Sequence, residues 1–188
     1  MSERDKRGRV FVISGPSGSG KTTLCKELRR DPRLRVGVSV TTRLPRDAEK
    51  NGVHYRFCST EEFERMIAAG ELLEHAKVLG NYYGTPREPL ERAVAEGLNY
   101  VLNIDVQGAM TLKMVLPDAA FIFVAPPDEA ELRRRLEKRG TETEDQISQR
   151  LELAKREMEY RKYYDHVVVN DTVEGAVARI KEIIFGGN

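Results

Sequence analysis

Cysteine is scarce in this chain, with only two in 188 residues. Cys25 and Cys58 lie far apart with no C-x-x-C spacing, so both read as small apolar residues, and disulfide or metal roles are not expected. His54, His75 and His166 do not cluster either. Charge of one sign is also lacking: a net charge of +1 gives no overall field for nucleic acid or a membrane surface. Any cationic chemistry must therefore be local. The segment from Met1 to Arg9 is polar and no apolar h-region follows it, and no later apolar run approaches a membrane span. The expected compartment is the cytoplasm. Internal repeats, low-complexity tracts and Gly/Ser linkers are missing as well. The length suits one α/β domain with a proper core and room for small inserted subdomains, and a second independent domain is not expected.

Near the amino terminus, Val10-Phe11-Val12-Ile13 is an apolar run suited to a buried parallel strand. It leads into Ser14-Gly15-Pro16-Ser17-Gly18-Ser19-Gly20-Lys21-Thr22-Thr23. Gly15 to Thr22 satisfies G-x-x-x-x-G-K-[ST], the phosphate-loop pattern, at every fixed position. The glycines let the backbone bend around a polyphosphate with consecutive N–H groups pointing inward, reinforced by the positive end of the following helix. Lys21 can reach the β- and γ-phosphates, and the Thr22 hydroxyl is placed to ligate Mg²⁺. The plain alternative is a glycine-rich turn that happens to hold a lysine. A strand before the loop and a helical run, Thr23 to Arg30, after it favour nucleotide binding.

The rest of the chain alternates in the same rhythm. The first helix stops near Asp31-Pro32, and Val36, Val38 and Val40 alternate as a short strand. Thr41 to Asp47 is a polar loop with two arginines, and Val53 to Cys58 reads as a strand. Ser59 with Glu62 forms a capping box for a helix carrying Phe63, Met66 and Ile67. Glu71 to Leu79 is extended, and Gly80 to Pro86 reads as a turn-rich loop. Val38 to Pro89 is thus a compact insertion of short strands and one helix. A helix through Leu90, Ala93 and Val94 follows, then a strand from Tyr100 to Val106. Ala119 to Ala125 is a continuously apolar strand, as coverage on both faces requires. Two helices come next, through Leu132 to Lys138 and from about Glu144 to Tyr160. Val167-Val168-Val169 forms the last strand, and a terminal helix carries Val173, Val177, Ile180 and Ile184. This order predicts a P-loop NTPase-type parallel sheet flanked by helices, with ligands at the carboxyl ends of its strands.

A phosphate loop alone does not choose a reaction. Arg135 and Arg139, spaced i, i+4, share a helix face, and Arg150 follows on the next helix. Such arginines either form a solvated charged face or offset the charge that spreads over a transferring phosphoryl group. If the acceptor is itself a phosphate, no general base is required, which fits the lack of a Ser/His/Asp or Cys/His set. Arg43 and Arg46, with Tyr55 and Tyr83, can bind an acceptor phosphate by forked and phenolic hydrogen bonds.

The stretches Ser39-Val40-Thr41-Thr42-Arg43-Leu44-Pro45-Arg46, Asn51-Gly52-Val53-His54-Tyr55 and Gly80-Asn81-Tyr82-Tyr83-Gly84-Thr85, followed by Ile104-Asp105-Val106-Gln107-Gly108, Arg139-Gly140-Thr141-Glu142-Thr143 and Val169-Asn170-Asp171, resemble the guanylate kinase signature set in the family's own order. The resemblance covers nearly the whole chain. It implies a P-loop core (about 1–37, 90–127 and 158–188), a GMP-binding insertion (about 38–89) and a helical lid (about 128–157). It also implies the reaction of ATP with GMP to give ADP and GDP with Mg²⁺, in purine nucleotide metabolism and GMP recycling, with dGMP as a further candidate substrate. By position, Ser39, Arg43, Arg46, Tyr55 and Tyr83 resemble the GMP-phosphate side, and Glu74, Thr85 and Asp105 the guanine readers. Lys21, Arg135, Arg139 and Arg150 resemble the catalytic phosphate-binding cations, and Asn170 a polar contact on the adenine side. Two positions depart from the pattern. Thr85 stands where many members have serine, and Asn103 lies where some carry an acid, which weakens any metal-orienting role there.

Two rival readings are a guanylate-kinase-like interaction module without catalysis and a P-loop kinase of a sugar phosphate. Intact Lys21 and Thr22 oppose the first, and the carboxylates of Glu74 and Asp105 oppose the second.

Overall fold

The computed structural model describes residues 7–46, 49–78, 80–138 and 143–186. The expectations at Arg139, Gly140, Thr141 and Glu142 lie outside the described residues. Five strands, β1 (Val10–Ser14), β2 (Leu34–Val36), β7 (Asn99–Asn103), β8 (Ala120–Ala125) and β9 (His166–Val169), form one sheet in the order β2-β7-β1-β8-β9. Every pairing in it is parallel. Four further strands, β3 (Val40–Thr41), β4 (Arg56–Phe57), β5 (Leu72–Val78) and β6 (Asn81–Pro86), form a second sheet in the order β4-β3-β6-β5.

The apolar runs of β1 and β8 are continuous because each face of the large sheet has its own cover. Phe11, Ile13, Ile122 and Val124 point to the side packed by α1 (Lys21–Leu28) and α7 (Val173–Phe185). Val12, Phe121 and Phe123 point to the other side, where α3 (Arg87–Ala95) and α4 (Val106–Val115) supply Leu90, Ala93, Ala109 and Leu112. Helix α2 (Thr60–Ala68) covers the small sheet through Phe63 and Met66. Helices α5 (Glu129–Glu137) and α6 (Glu144–Met158) share a separate apolar seam of Leu132, Leu136, Ile147, Leu151 and Ala154. A 3₁₀ turn, Glu159–Tyr163, ends α6 before β9. Among the described residues, no helix is long and apolar enough to cross a membrane.

Several sequence expectations are corrected. The valines at 36, 38 and 40 do not form one strand, because the chain leaves the large sheet at Val36 and enters the small one at Val40. Gly37 sits at this departure, where a Cβ would meet the Tyr100 ring at 2.9 Å. The segment after Gly80 is a strand, β6, and not a loop: its backbone pairs antiparallel with both β5 and β3. The aromatic residues Tyr82 and Tyr83 suit a pleated surface, and Gly84 admits the close approach of Phe63 and Leu72, each 2.9 Å from where its Cβ would lie. Of the strand expected over Val53 to Cys58, only Arg56–Phe57 joins the small sheet; Tyr55 makes an isolated bridge to Asn51, and residues 52–54 turn. The strand expected to reach Val106 ends at Asn103 because the Asp105 carboxylate accepts from the Gly108 N–H and starts α4. The capping box at Ser59 is half made: Ser59 accepts from the Glu62 N–H, while the Glu62 carboxylate is drawn to Arg56 at 2.6 Å.

Ile122 is fully buried in the middle of the large sheet, between β1 and β9. Ile122→Ala is expected to lower unfolding free energy by about 2–5 kcal/mol in a urea titration, through lost burial and a residual cavity.

Candidate active site

The phosphate loop follows β1 and lies at the carboxyl ends of β8 and β9. Its glycines are dictated by what surrounds them. Gly20 takes φ +95°, and a Cβ there would lie 2.2 Å from the Asn170 side-chain nitrogen; one at Gly15, φ +141°, would lie 2.2 Å from the Val124 carbonyl oxygen. No side-chain-bearing residue fits either place. Ser19 N–H closes the loop onto the Pro16 carbonyl at 3.2 Å, and α1 begins at Lys21, so its positive end faces the loop. The Lys21 ammonium donates to the carbonyls of Gly15 (2.5 Å) and Pro16 (2.9 Å), which holds it over the loop. Thr22 and Thr23 are exposed on the first turn of α1.

Asn170, at the end of β9, is 3% exposed. Its side-chain nitrogen donates to the Ser19 carbonyl at 2.8 Å, and its own backbone N–H is taken by the Ala125 carbonyl at 2.8 Å. It thus ties the loop to the ends of β8 and β9. Arg135 of α5 completes the tie by donating to the Ser19 carbonyl (3.3 Å) and the Asn170 carbonyl (2.8 Å). Glu131 orients that guanidinium at 2.7 Å, and hydrogen bonds from Arg134 and Arg135 pull the Glu131 carboxyl down to about 2. Arg150 of α6 donates to the Ser17 hydroxyl at 3.0 Å. Arg135 and Arg150 therefore both reach the phosphate loop, from two different helices.

A second cluster sits on the small sheet. Glu74 of β5 and Thr85 of β6 are cross-strand partners, and the buried Thr85 hydroxyl donates to a Glu74 carboxylate oxygen at 2.6 Å. Asp105, at the start of α4, approaches the same place. A Cβ on Gly108 would lie 3.3 Å from Glu74 and 3.5 Å from Asp105, so Gly108 is the gap between the two carboxylates. Burial, opposed by the Thr85 hydrogen bond and assisted by the negative charge of Asp105, raises the Glu74 carboxyl to about 7. Tyr83 and Tyr55 meet edge to face at 6.0 Å, and the Arg43 guanidinium lies 5.5 Å from the Tyr55 ring. Arg46 is exposed beside them, and the Ser39 carbonyl accepts from the Arg56 N–H at 2.8 Å where the chain enters β3. Of the expected acceptor-side residues, Glu74, Thr85 and Asp105 form one group, and Arg43, Tyr55 and Tyr83 another.

Three participants escaped the sequence reading. Glu49 pairs with Arg43 at 2.9 Å. Glu157 of α6 is drawn into the phosphate loop region, where burial raises its carboxyl while the Ser17 N–H and the charge of Lys21 oppose the rise. Gly108 provides the gap just described. A signal existed for two of them: Glu49 is three residues from Arg46, and Glu157 is two turns from Arg150 on the same face of one helix.

A family profile described as Guanylate kinase matches residues 7–186. This chain belongs to the guanylate kinase family. It is 50% identical over 179 residues to a guanylate kinase of Desulfitobacterium hafniense (strain Y51), covering 95% of this chain and 90% of that one. It is also 50% identical over 185 residues to a guanylate kinase of Bacillus anthracis, covering 97% and 90%. A crystal structure of guanylate kinase from Anaplasma phagocytophilum superposes with a TM-score of 0.82 at 37% identity, covering 97% of this chain and 87% of that one. Membership makes the chain an enzyme, a nucleoside monophosphate kinase, and gives the fold expected from the phosphate loop a solved counterpart in the family.

Since the raised Glu74 carboxyl holds a proton in the folded state that the unfolded chain has already released, folding loses stability as pH rises toward and past 7. Glu74→Gln is therefore expected to melt above the parent protein at pH 8.5, with the difference closing by pH 5. Melting curves of both proteins across that range test it, and a gap independent of pH would show that Glu74 is ionised throughout.

Proposed function

We propose that this enzyme moves the γ-phosphoryl group of ATP onto the phosphate of GMP, giving ADP and GDP. The observation that carries the reading is the trio Glu74, Thr85 and Asp105. Guanine offers N1–H and N2–H₂ as donors and O6 as an acceptor. Two carboxylates beside a hydroxyl are complementary to that edge. Adenine turns a lone pair toward the same carboxylates, and a buried polar mismatch is what gives a site large discrimination. In this reading residues 38–89 bind GMP, residues 128–157 act as the lid, and the remainder is the core.

The triphosphate of ATP lies against the loop Gly15, Pro16, Ser17, Gly18, Ser19, Gly20, Lys21, Thr22 and Thr23, on inward-pointing N–H groups to which Pro16 contributes none, with Asn170 bracing that loop from behind. Ser39, Arg43, Arg46, Tyr55 and Tyr83 hold the GMP phosphate by forked and phenolic hydrogen bonds. An oxygen of that phosphate, already ionised near neutral pH, attacks the γ-phosphorus. The new P–O bond forms as the bond to the bridging oxygen of ADP breaks, and no proton has to be removed. Lys21, Arg135 and Arg150, with Arg139 four residues beyond Arg135, offset the charge spread over the moving group. Among the described residues, no group of three or more acidic, histidine or cysteine side chains could hold a metal alone. The exposed Thr22 hydroxyl at the start of α1 is the kind of single protein oxygen that suits Mg²⁺, which is commonly bound by one or two protein oxygens together with substrate phosphates. Thr22 would supply the protein oxygen, and the bound ion would neutralise phosphate charge. A reaction of this kind suits a cytoplasmic enzyme that recycles GMP, with dGMP a second acceptor.

A coupled ADP-release assay with GMP, AMP, UMP and CMP checks the base selectivity. Turnover of GMP at least about 10²-fold above the others is expected, and comparable rates for AMP and GMP would defeat it. Lys21→Met should lower kcat by about 10²–10³ while calorimetric GMP binding stays near that of the parent. Loss of GMP binding in parallel with turnover would remove Lys21 from the donor side.

A further inference from the structure

Glu49 has the wrong sign for a phosphate site, yet it sits in the middle of one. Arg43 Nη2 donates to both Glu49 carboxylate oxygens at 2.9 Å, and Nη1 donates to the Leu44 carbonyl at 2.7 Å. The backbone N–H of Arg46 donates to Glu49 Oε2 at 2.9 Å, and the N–H of Glu49 returns to the Arg46 carbonyl at 2.8 Å. The Arg43 and Glu49 side chains are only 18% and 16% exposed. The rings of Tyr55 and Phe57 lie 5.5 and 5.8 Å from the guanidinium. One carboxylate thus fixes the side chain of one arginine and the backbone of the other.

An arginine side chain carries much rotamer freedom, which a ligand must otherwise remove on binding. The Leu44 carbonyl and the Glu49 carboxylate take the Nη corner of Arg43, so its plane is set before any ligand arrives. We propose that Glu49 is a positioning residue for the acceptor phosphate, holding Arg43 and Arg46 in the geometry that receives a phosphomonoester. The proposal rests on the GMP reading above and deepens its phosphate half. On this proposal, removing Glu49 weakens phosphate binding even though it takes away a negative charge.

The test separates the phosphate from the base. Steady-state kinetics would be run on the parent protein and on Glu49→Gln, Glu49→Ala and Glu49→Asp, with guanosine as an inhibitor competitive with GMP and with melting curves of each protein. Glu49→Gln is nearly isosteric and serves if Glu49→Ala fails to fold. The expected result is a KM for GMP raised about 10–100-fold in the alanine and glutamine variants, as for loss of other supporting hydrogen-bond partners. Glu49→Asp should recover part of that loss. The guanosine inhibition constant and kcat at saturating GMP should stay within about threefold, the same factor within which KM for ATP is expected to hold. An unchanged KM for GMP would overturn the proposal, and a lowered one would make Glu49 an internal competitor instead. A parallel rise in the guanosine constant would reduce Glu49 to general support of the fold. A parent protein that neither binds nor phosphorylates GMP would overturn the underlying reading, an outcome distinct from all of these because it precedes any substitution.

Discussion

The rest of the structure depends on how closely the phosphate loop is drawn onto the end of the large sheet. Gly15 lies against the Val124 carbonyl of β8, and Gly20 against the Asn170 amide after β9, with no room for a methyl group at either. The Ser19 carbonyl is held by Asn170 and Arg135 together. Backbone N–H groups bind a polyphosphate well only when they are already pointed inward, since their reorientation would otherwise consume the binding energy. The loop is braced by β8, β9 and α5 at once, and each brace comes from a different stretch of the chain. That is why a parallel sheet with two covered faces is needed behind so short a motif.

The same logic of orientation by neighbours recurs elsewhere, with different chemistry. Glu131 aims Arg135, and Asp105 both caps α4 and approaches Glu74 across Gly108. Charge is grouped by place: arginines gather around the phosphate loop and on the loop after β3, each group with a carboxylate that orients it, Glu131 or Glu49, while Glu74 and Asp105 approach each other where β5, β6 and α4 meet. The near neutrality of the whole chain, +1 over 188 residues, conceals this grouping. Helices α5 and α6 have their own apolar seam, separate from the two sheet faces, so they can carry arginines toward the loop without the core being rebuilt around them.

Much of this was legible beforehand, for identifiable reasons. Alternating strands and helices, the helix cap at Ser59, and the glycine pattern at 15, 18 and 20 act locally, and local rules find them. Strands of the small sheet were harder. Val40–Thr41 and Arg56–Phe57 have two residues each, too few to show a period, and Asn81–Pro86 carries a glycine and a proline that read as turn signals when only packing against Phe63 explains the glycine. Among site residues, those with a charge suited to phosphate were visible from type and spacing. Glu49 and Glu157 left only a spacing signal, and Gly108 stood in a motif stretch without a role, because each acts through a partner that only the fold brings near.

In the proposed reaction two nucleotides lie end to end, one on backbone amides and one on guanidinium groups beside a carboxylate-lined base pocket. A crystal structure with GMP and a non-hydrolysable ATP analogue bound together tests it most directly. Guanine is expected against Glu74, Thr85 and Asp105, the GMP phosphate on Arg43 and Tyr83, and the analogue's terminal phosphate beside Lys21 facing an oxygen of GMP. GMP found with its base away from Glu74, or with its phosphate turned from the triphosphate, would contradict it.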